Sequence, residues 1–231
     1  MELQEQSYPG SQIPIVLKFL TNGILALGGL ASEGIFRVPG DGDLVAELKS
    51  RIDRGHYRLV SQHFEREDVY STDGQEDMDD PHVAASLFKQ WLRELAVPLI
   101  PEDLYNAALS ASKSTPDTLA FVTRLPVIHR RVLVHVISFI QLFLDAKVIA
   151  ETKMTPQNLG ESGPAAGLEP LDELTAALVL APNILRTTSN HLETVFTNAS
   201  FESSFVLRLL EHLEPDKVDP DFVPVHGVSA T

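Results

Sequence analysis

The residue best suited to chemistry on an anion is Arg37, which stands among glycines and a proline in GLASEGIFRVPGDGD, residues 29–43. Two apolar side chains directly before it can anchor the loop to a core, while Gly34 and Gly40 permit backbone turns that other residues resist. Pro39 stiffens the same segment. A guanidinium on an anchored loop loses little entropy on binding and can bridge two phosphate oxygens. The residues leave two interpretations open: a ligand for an anionic partner, or an arginine that ties its loop to a neighbouring carboxylate.

A second group of cations, Lys89 and Arg93, lies in DPHVAASLFKQWLREL, residues 80–95, which is the best-marked helical pattern in the chain. Asp80 is suited to cap this helix and Pro81 to occupy its first turn. Four residues are about one helical turn, so the two cations project from one face. Like charges at that spacing cost a helix about 0.2–0.5 kcal/mol. The two side chains are therefore either ordinary solvent-exposed residues or part of a binding site for an anionic partner.

The sequence lacks the motifs of a stand-alone enzyme. It has no G-x-x-x-x-G-K-[ST] for a nucleotide phosphate and no H-E-x-x-H for zinc, and its eight histidines are scattered. No serine stands in a G-x-S-x-G context. We therefore expect no catalytic centre, no metal site and no cofactor of its own. On these grounds we expect no catalytic or metal-binding role for His82, His129, His135, Ser86, Ser138 and Ser204.

Composition limits the class of partner and the compartment. The chain has 231 residues, 18 Lys and Arg against 32 Asp and Glu, and a formal net charge of −14. This acidic balance argues against nucleic acid and anionic membranes as main partners. There is no cysteine, the start MELQEQSYPGSQ lacks the pattern of a signal peptide, and the apolar runs are short for a membrane span. We expect a cytoplasmic protein that does not insert into a membrane.

The elements that must position these cations are all helical, because no alternating strand pattern occurs. One helix ends before the Arg37 loop, and another follows it with Asp43 as a candidate cap. RRVLVHVISFIQLFL is apolar nearly all round, which indicates a central buried helix. We predict an all-α bundle of about eight or nine helices, at about residues 13–27, 43–55, 80–95, 102–112, 116–124, 126–145, 170–180 and 199–213.

Three segments resemble the GTPase-activating domains for Rho-family small G proteins, the RhoGAP domains. EGIFRVPGD is similar to the family's arginine-finger loop. HVAASLFKQWLRELAVPLIPEDLY resembles its second block, and LVLAPNILR resembles its Ala-Pro-Asn box. The three occur in the family's order, and the similarity runs from about residue 13 to about 214. One block alone would be a weak match, whereas three in order over most of the chain are a specific one.

The resemblance implies a role for each candidate residue. Arg37 is the finger that is inserted in trans beside the γ-phosphate of a G protein's GTP. Lys89 and Arg93 line the same face and engage the finger loop or the G protein. Asn183 is the polar residue of the Ala-Pro-Asn box at that face, and Pro182 ends the helix before it. The implied function is stimulation of GTP hydrolysis, and the alternative is a catalytically silent domain that binds Rho-family proteins as a scaffold.

The resemblance also implies the partner. It is a Rho-, Rac- or Cdc-type small G protein in its GTP-bound state, which holds the GTP and Mg²⁺ itself. A domain of this kind is expected to be part of a larger multidomain protein. Within the chain we expect a flexible lead-in over 1–12, one RhoGAP-like domain over 13–214 with loops or insertions at about 56–80 and 157–170, and a flexible tail over 215–231.

One departure from the family pattern precedes Asn183. MTPQNL (154–159) normally runs straight into the Ala-Pro-Asn box, but here a long Gly- and Pro-rich stretch separates the two. Either a surface insertion breaks the helix, or PLDELTAALVL rebuilds it and MTPQNLGESGPAAG loops out. We favour the second alternative, because Leu171, Leu174 and Leu178 can restore a buried stripe.

Overall fold

Nine α-helices and one 3₁₀ turn form the regular structure of the residues that the computed structural model describes, which are 13–57, 80–153, 171–186 and 192–225. No β-strand occurs in these ranges, and the prediction of an all-α bundle is confirmed. In chain order the elements are α1 (Ile15–Ala26), the 3₁₀ turn (Gly29–Ala31), α2 (Gly42–Asp53), α3 (Pro81–Arg93), α4 (Glu102–Ala111), α5 (Thr115–Arg124), α6 (Val127–Lys153), α7 (Glu173–Ile184), α8 (Leu192–His212) and α9 (Pro215–Val218).

Capping residues fix where the helices beside the Arg37 loop begin. Asp80 caps α3 as predicted, since its carboxylate accepts the His82 amide at 2.8 Å. The predicted cap of α2, Asp43, is wrong. Asp41 caps this helix and accepts the amides of Asp43 and Leu44 at 2.9 and 3.1 Å. A cap must stand two or three residues before the amides it binds, and Gly42 is already helical.

Helix α6 is the centre of the core, as its sequence predicted, and it extends to Lys153 rather than ending near 145. Its segment Val127–Asp145 has a mean hydropathy of 1.5 and is long and apolar enough by composition to cross a membrane. In this fold more than half of that segment is buried against other helices, as expected of a core helix. Its fully buried side chains include Val132, Leu133, Val136, Ile137 and Phe139.

Four aromatic rings join the Arg37 loop to this core. Phe36 lies on the loop, Phe88 on α3, and Phe139 and Phe143 on α6. Their neighbouring ring centroids are 5.1–6.0 Å apart in edge-on or tilted pairs. Such pairs are favourable beyond the area they bury. Ile35 and Phe36 are 4% and 2% exposed, so the apolar pair anchors its loop as predicted.

Helix α7 is rebuilt by PLDELTAALVL, with Asp172 as its cap at 2.7 Å from the Thr175 amide. The stripe predicted for it is correct at Leu171, which is buried, and wrong at Leu174 and Leu178, which are each 56% exposed. The helical period places them on the side opposite the buried one. The alanines of that buried side let α7 approach its neighbours closely. The buried side consists of Ala176, Ala177, Leu180, Ala181, Asn183 and Ile184.

The structure describes only a small part of the segments that the sequence marks as loops or tails. The lead-in 1–12, the segment 157–170 with MTPQNL before it, and most of 56–80 lie outside the described residues. The described part of the expected tail, 215–225, contains α9 and packs on the bundle. There the buried carboxylate of Asp219 lies 3.4 Å from the Arg131 guanidinium of α6.

A buried histidine links α6 to α1. His135 is 5% exposed, and its Nε2 lies 3.3 Å from Thr21 Oγ1. The Thr21 hydroxyl in turn donates to the Lys18 carbonyl at 3.2 Å. Burial lowers the pKa of His135 to about 4, and the nearby charge of Lys18 adds to the effect. The histidine is therefore held in its neutral form at neutral pH.

We predict that His135 makes folding sensitive to mild acid. Its pKa is lower in the folded state than its ordinary value of 6.5, so the unfolded chain binds the proton first. The neutral histidine favours the folded state fully above pH 6.5, and this stabilisation is lost as the pH falls toward 4. At pH 5 the loss of folding free energy amounts to roughly 2 kcal/mol. Urea unfolding at pH 7 and pH 5 measures this loss. His135→Gln should remove most of it, whereas replacement of the exposed His56 should not; equal pH sensitivity in His135→Gln and the parent would contradict the assignment.

Candidate functional site

The segment that carries Arg37, named here the arginine loop (residues 34–40), is a tight turn with two left-handed residues. Gly34 has φ +70°, and its carbonyl accepts the amides of Arg37 at 2.9 Å and Val38 at 2.8 Å. Phe36 has φ +66° and is the one residue other than glycine with a positive φ in the described ranges. A bulky side chain in this conformation costs about 1–3 kcal/mol. The surrounding structure must therefore impose the turn.

Two contacts hold Phe36 in this conformation. Its ring is buried in the aromatic cluster, and its carbonyl accepts a hydrogen bond from the Lys89 ammonium of α3. Burial lowers the pKa of Lys89, and the charge of Arg93 lowers it further. The half-buried ammonium thus has the backbone carbonyl of the arginine loop as a polar partner.

Helix α3 supports the arginine loop along one side. His82, Ser86 and Lys89, named here the docking stripe, follow the four- and three-residue spacing that places side chains on one helical face. Each contacts a different part of the loop backbone. The three contacts join Lys89 Nζ to the Phe36 carbonyl, Ser86 Oγ to the Gly40 amide at 2.9 Å, and His82 Nδ1 to the Val38 carbonyl at 3.4 Å.

The two cations of α3 that the sequence grouped together differ in burial and in contacts. Lys89 is half-buried and contacts the arginine loop, whereas Arg93, one turn further along α3, is exposed. Arg37 itself is partly exposed, on the segment that Lys89 holds. The arginine loop and the cations of α3 therefore share one region of the surface, with Lys89 as the direct link between them.

Asn183 lies in the last turn of α7 and is 5% exposed. Its side-chain amide donates to the Val179 carbonyl of the same helix at 2.7 Å. The helix does not end at Pro182 as predicted but continues to Ile184. A proline in the last turn removes a single backbone donor, which the remaining bonds of that turn tolerate.

Arg186 joins the end of α7 to the end of α3. Its guanidinium donates to the Arg93 carbonyl at 3.0 Å and to the Leu95 carbonyl at 2.5 Å, where α3 terminates. Beside it, the Ile100 amide donates to the Ile184 carbonyl at 3.2 Å. The segments that carry Arg93 and Asn183 are thereby tied together.

Sequence reasoning missed three residues of this arrangement. His82 and Ser86 lack an enzymatic context in the sequence, but their spacing to Lys89 and Arg93 marks a polar stripe along one side of α3. Arg186 carries no comparable pattern, because its role depends on where two helix ends meet. The structure therefore adds the residues that hold the cationic segments to those predicted to act on a partner.

The order of the helices and the arginine loop held against α3 define an all-α domain with a cationic region of its surface. Comparison with known proteins identifies the family of this domain. A family model described as the RhoGAP domain matches residues 14–162. The chain belongs to the RhoGAP domain family, and the sequence-based identification is confirmed. Helix α3 and the arginine loop lie within the matched residues, whereas Asn183 lies beyond them.

Curated relatives are much longer than this chain. GTPase activating protein homolog 2 of Dictyostelium discoideum is 32% identical over 216 residues, which are 93% of this chain and 20% of that protein. Rho GTPase-activating protein 23 of Mus musculus is 27% identical over 195 residues, which are 82% of this chain and 11% of that protein. The chain thus spans a fifth or less of the length of these two relatives.

Solved structures share the fold. Human Rho GTPase activating protein 15 superposes with a TM-score of 0.59 at 20% identity, covering 87% of this chain and 82% of that one. The BH domain from GRAF, the GTPase regulator associated with focal adhesion kinase, gives a TM-score of 0.58 at 18% identity, with 91% and 97% covered. At this level of identity the likeness concerns the helical architecture alone.

We predict that Arg186→Gln destabilises the domain by about 1–3 kcal/mol, because the carbonyls of Arg93 and Leu95 lose a charged donor at the end of α3. Urea unfolding measures the change. Arg124→Gln, at an exposed arginine in the last turn of α5, is the matched control and should change stability little. An Arg186→Gln protein as stable as the control would show that the two hydrogen bonds of Arg186 contribute nothing to stability.

Proposed function

We propose that this domain accelerates GTP hydrolysis by a Rho-family small G protein and that Arg37 supplies the arginine finger in trans. The G protein holds the GTP and Mg²⁺, so the domain needs no cofactor of its own. The observation that carries the proposal is the loop held on α3, in which Lys89 fixes the residue directly before Arg37.

The chemistry explains why a held guanidinium is useful. When the terminal phosphoryl group leaves, negative charge develops on its oxygens and on the bridge to the β-phosphate. A cation that is already positioned stabilises this charge without reorganising at the moment of reaction. Arginine suits the task because it stays charged and can bind two oxygens with its planar fork. Ras and its activator show the scale, where a finger contributes about 10³–10⁵ in rate, or roughly 4–7 kcal/mol.

The backbone around Arg37 meets the requirement for positioning. A left-handed Phe36 determines the direction in which the chain enters Arg37, and its buried ring and bonded carbonyl prevent relaxation to an ordinary conformation. The position of the Arg37 backbone is thereby set before a partner arrives. Preorganisation of this kind lowers the entropy lost on binding.

We predict that Arg37→Ala lowers the acceleration of single-turnover GTP hydrolysis by about 10³-fold or more at saturating domain, because the developing charge loses its counter-ion. A panel of Rho-, Rac- and Cdc-type G proteins should be tested. Binding to the same proteins loaded with a non-hydrolysable GTP analogue should remain measurable. Arg54→Ala, at an exposed arginine beyond α2, is the matched control. Acceleration by Arg37→Ala equal to that of the parent would show that the finger is assigned wrongly.

A second function, a silent scaffold that binds Rho-family proteins, is favoured by one observation. The Asn183 amide is buried and bonded to its own helix, and a long insertion precedes that helix. An Ala-Pro-Asn box that did not engage the partner would leave binding through α3 with weak activation. The hydrolysis panel separates the two functions, since a scaffold binds the loaded G protein without accelerating hydrolysis.

We predict that the cations of α3 act on different steps. Arg93→Gln should mainly raise the domain concentration needed for half-maximal hydrolysis, by about 5- to 20-fold, because Arg93 is exposed and free of the loop contact made by Lys89. Lys89→Met should lower the maximal rate as well, because the Phe36 carbonyl loses its donor. Single-turnover rates measured over a range of domain concentrations give both quantities. Identical profiles for the two variants would exclude this division of roles.

A further inference from the structure

We propose that Ser86 is a positioning residue for Arg37, acting through the hydrogen bond between its hydroxyl and the Gly40 amide; the inference rests on the proposed function of Arg37. Lys89 holds the loop one residue before Arg37, and Ser86 holds it three residues after. The arginine is thus fixed from both sides by one helix.

The Ser86 contact has the geometry of a real hydrogen bond. The Gly40 amide lies 2.9 Å from Ser86 Oγ across 46 positions of sequence, and both residues are partly buried. An amide at such a place needs an acceptor, because a buried unpaired donor is costly. The His82 ring, at 3.4 Å from the Val38 carbonyl, lies near the upper limit of hydrogen-bond length. Ser86 therefore makes the stronger of the two contacts on this side of the loop.

The absence of a side chain at Gly40 makes this contact possible. A Cβ added there would lie 2.5 Å from the Val83 nitrogen and 2.6 Å from Val83 Cα, both on the backbone of α3. Backbone of a buried helix cannot move aside as a flexible side chain can. Gly40 thus lets the loop lie directly on the first turns of α3, within reach of Ser86.

The two anchors have different consequences for the loop. The Phe36 side is held by a buried aromatic cluster in addition to Lys89, so loss of the Lys89 hydrogen bond loosens this side without releasing it. The Gly40 side has no such ring, and loss of the Ser86 hydroxyl frees the backbone that follows Arg37. The expected defect is therefore a misplaced guanidinium in a domain that still folds and still binds.

The first test is the pair Ser86→Ala and Ser86→Thr in single-turnover GTP hydrolysis over a range of domain concentrations. Ser86→Ala should lower the maximal rate by about 3- to 10-fold, the size of one hydrogen bond, with affinity for the G protein loaded with a GTP analogue nearly unchanged. The melting temperature should fall by only a few degrees, because the amide that loses its acceptor is partly buried. Ser86→Thr keeps the hydroxyl and should restore the rate. A maximal rate for Ser86→Ala equal to the parent's overturns the inference, as does a loss confined to affinity or one that Ser86→Thr fails to reverse.

The second test does not alter Ser86. Gly40→Ala should lower the maximal rate at least as much as Ser86→Ala, because the added Cβ lifts the loop from α3. Gly42→Ala is the matched control two residues away, where an added Cβ meets nothing within 4 Å. Equal rates for the two glycine variants overturn the inference. Arg37→Ala is measured in parallel: if it keeps full acceleration the proposed function fails, and if it loses acceleration while Ser86→Ala keeps it, only the role of Ser86 fails.

Discussion

The hydrogen bond from the Lys89 ammonium to the Phe36 carbonyl is the contact on which the candidate site depends. It joins the cation-bearing helix to the cation-bearing loop, and it holds the carbonyl of the residue directly before Arg37. The bond also accounts for the burial of Lys89, since a half-buried ammonium needs a polar partner. Helix α3 is therefore both the support of the arginine loop and the next source of positive charge.

Burial of the Phe36 ring compensates for the strained backbone conformation of the same residue. A left-handed phenylalanine costs about 1–3 kcal/mol, and each aromatic pair contributes about 0.5–1.5 kcal/mol beyond the area it buries. The rings of α3 and α6 can thus offset the strain and prevent the loop from adopting other conformations. A glycine at position 36 would relieve the strain, but it would lose the anchor. Phenylalanine at position 36 thus gives a strained but rigid loop, where glycine would give a relaxed and mobile one.

What could be predicted from the sequence follows from residue type and period. Glycine, proline and apolar residues around Arg37 marked an anchored turn, and the helical period located α3 and the core helix. The left-handed conformation of Phe36 could not be predicted, because it arises from packing against helices distant in sequence. The same limit applies to Leu174 and Leu178, whose apolar spacing indicated burial, although the neighbours of α7 pack on its alanine side.

The insertion before α7 need not displace the Ala-Pro-Asn box, because the insertion and the anchors of the box lie at opposite ends of that helix. The added residues precede Asp172, where a new cap starts the helix. The box is held at the other end, where the Ile100 amide donates to the Ile184 carbonyl and Arg186 donates to the carbonyls of Arg93, the last residue of α3, and of Leu95 just beyond it. Arg186 thus ties the end of α7 that carries the box to the end of α3, whereas the change in length precedes the opposite end of α7.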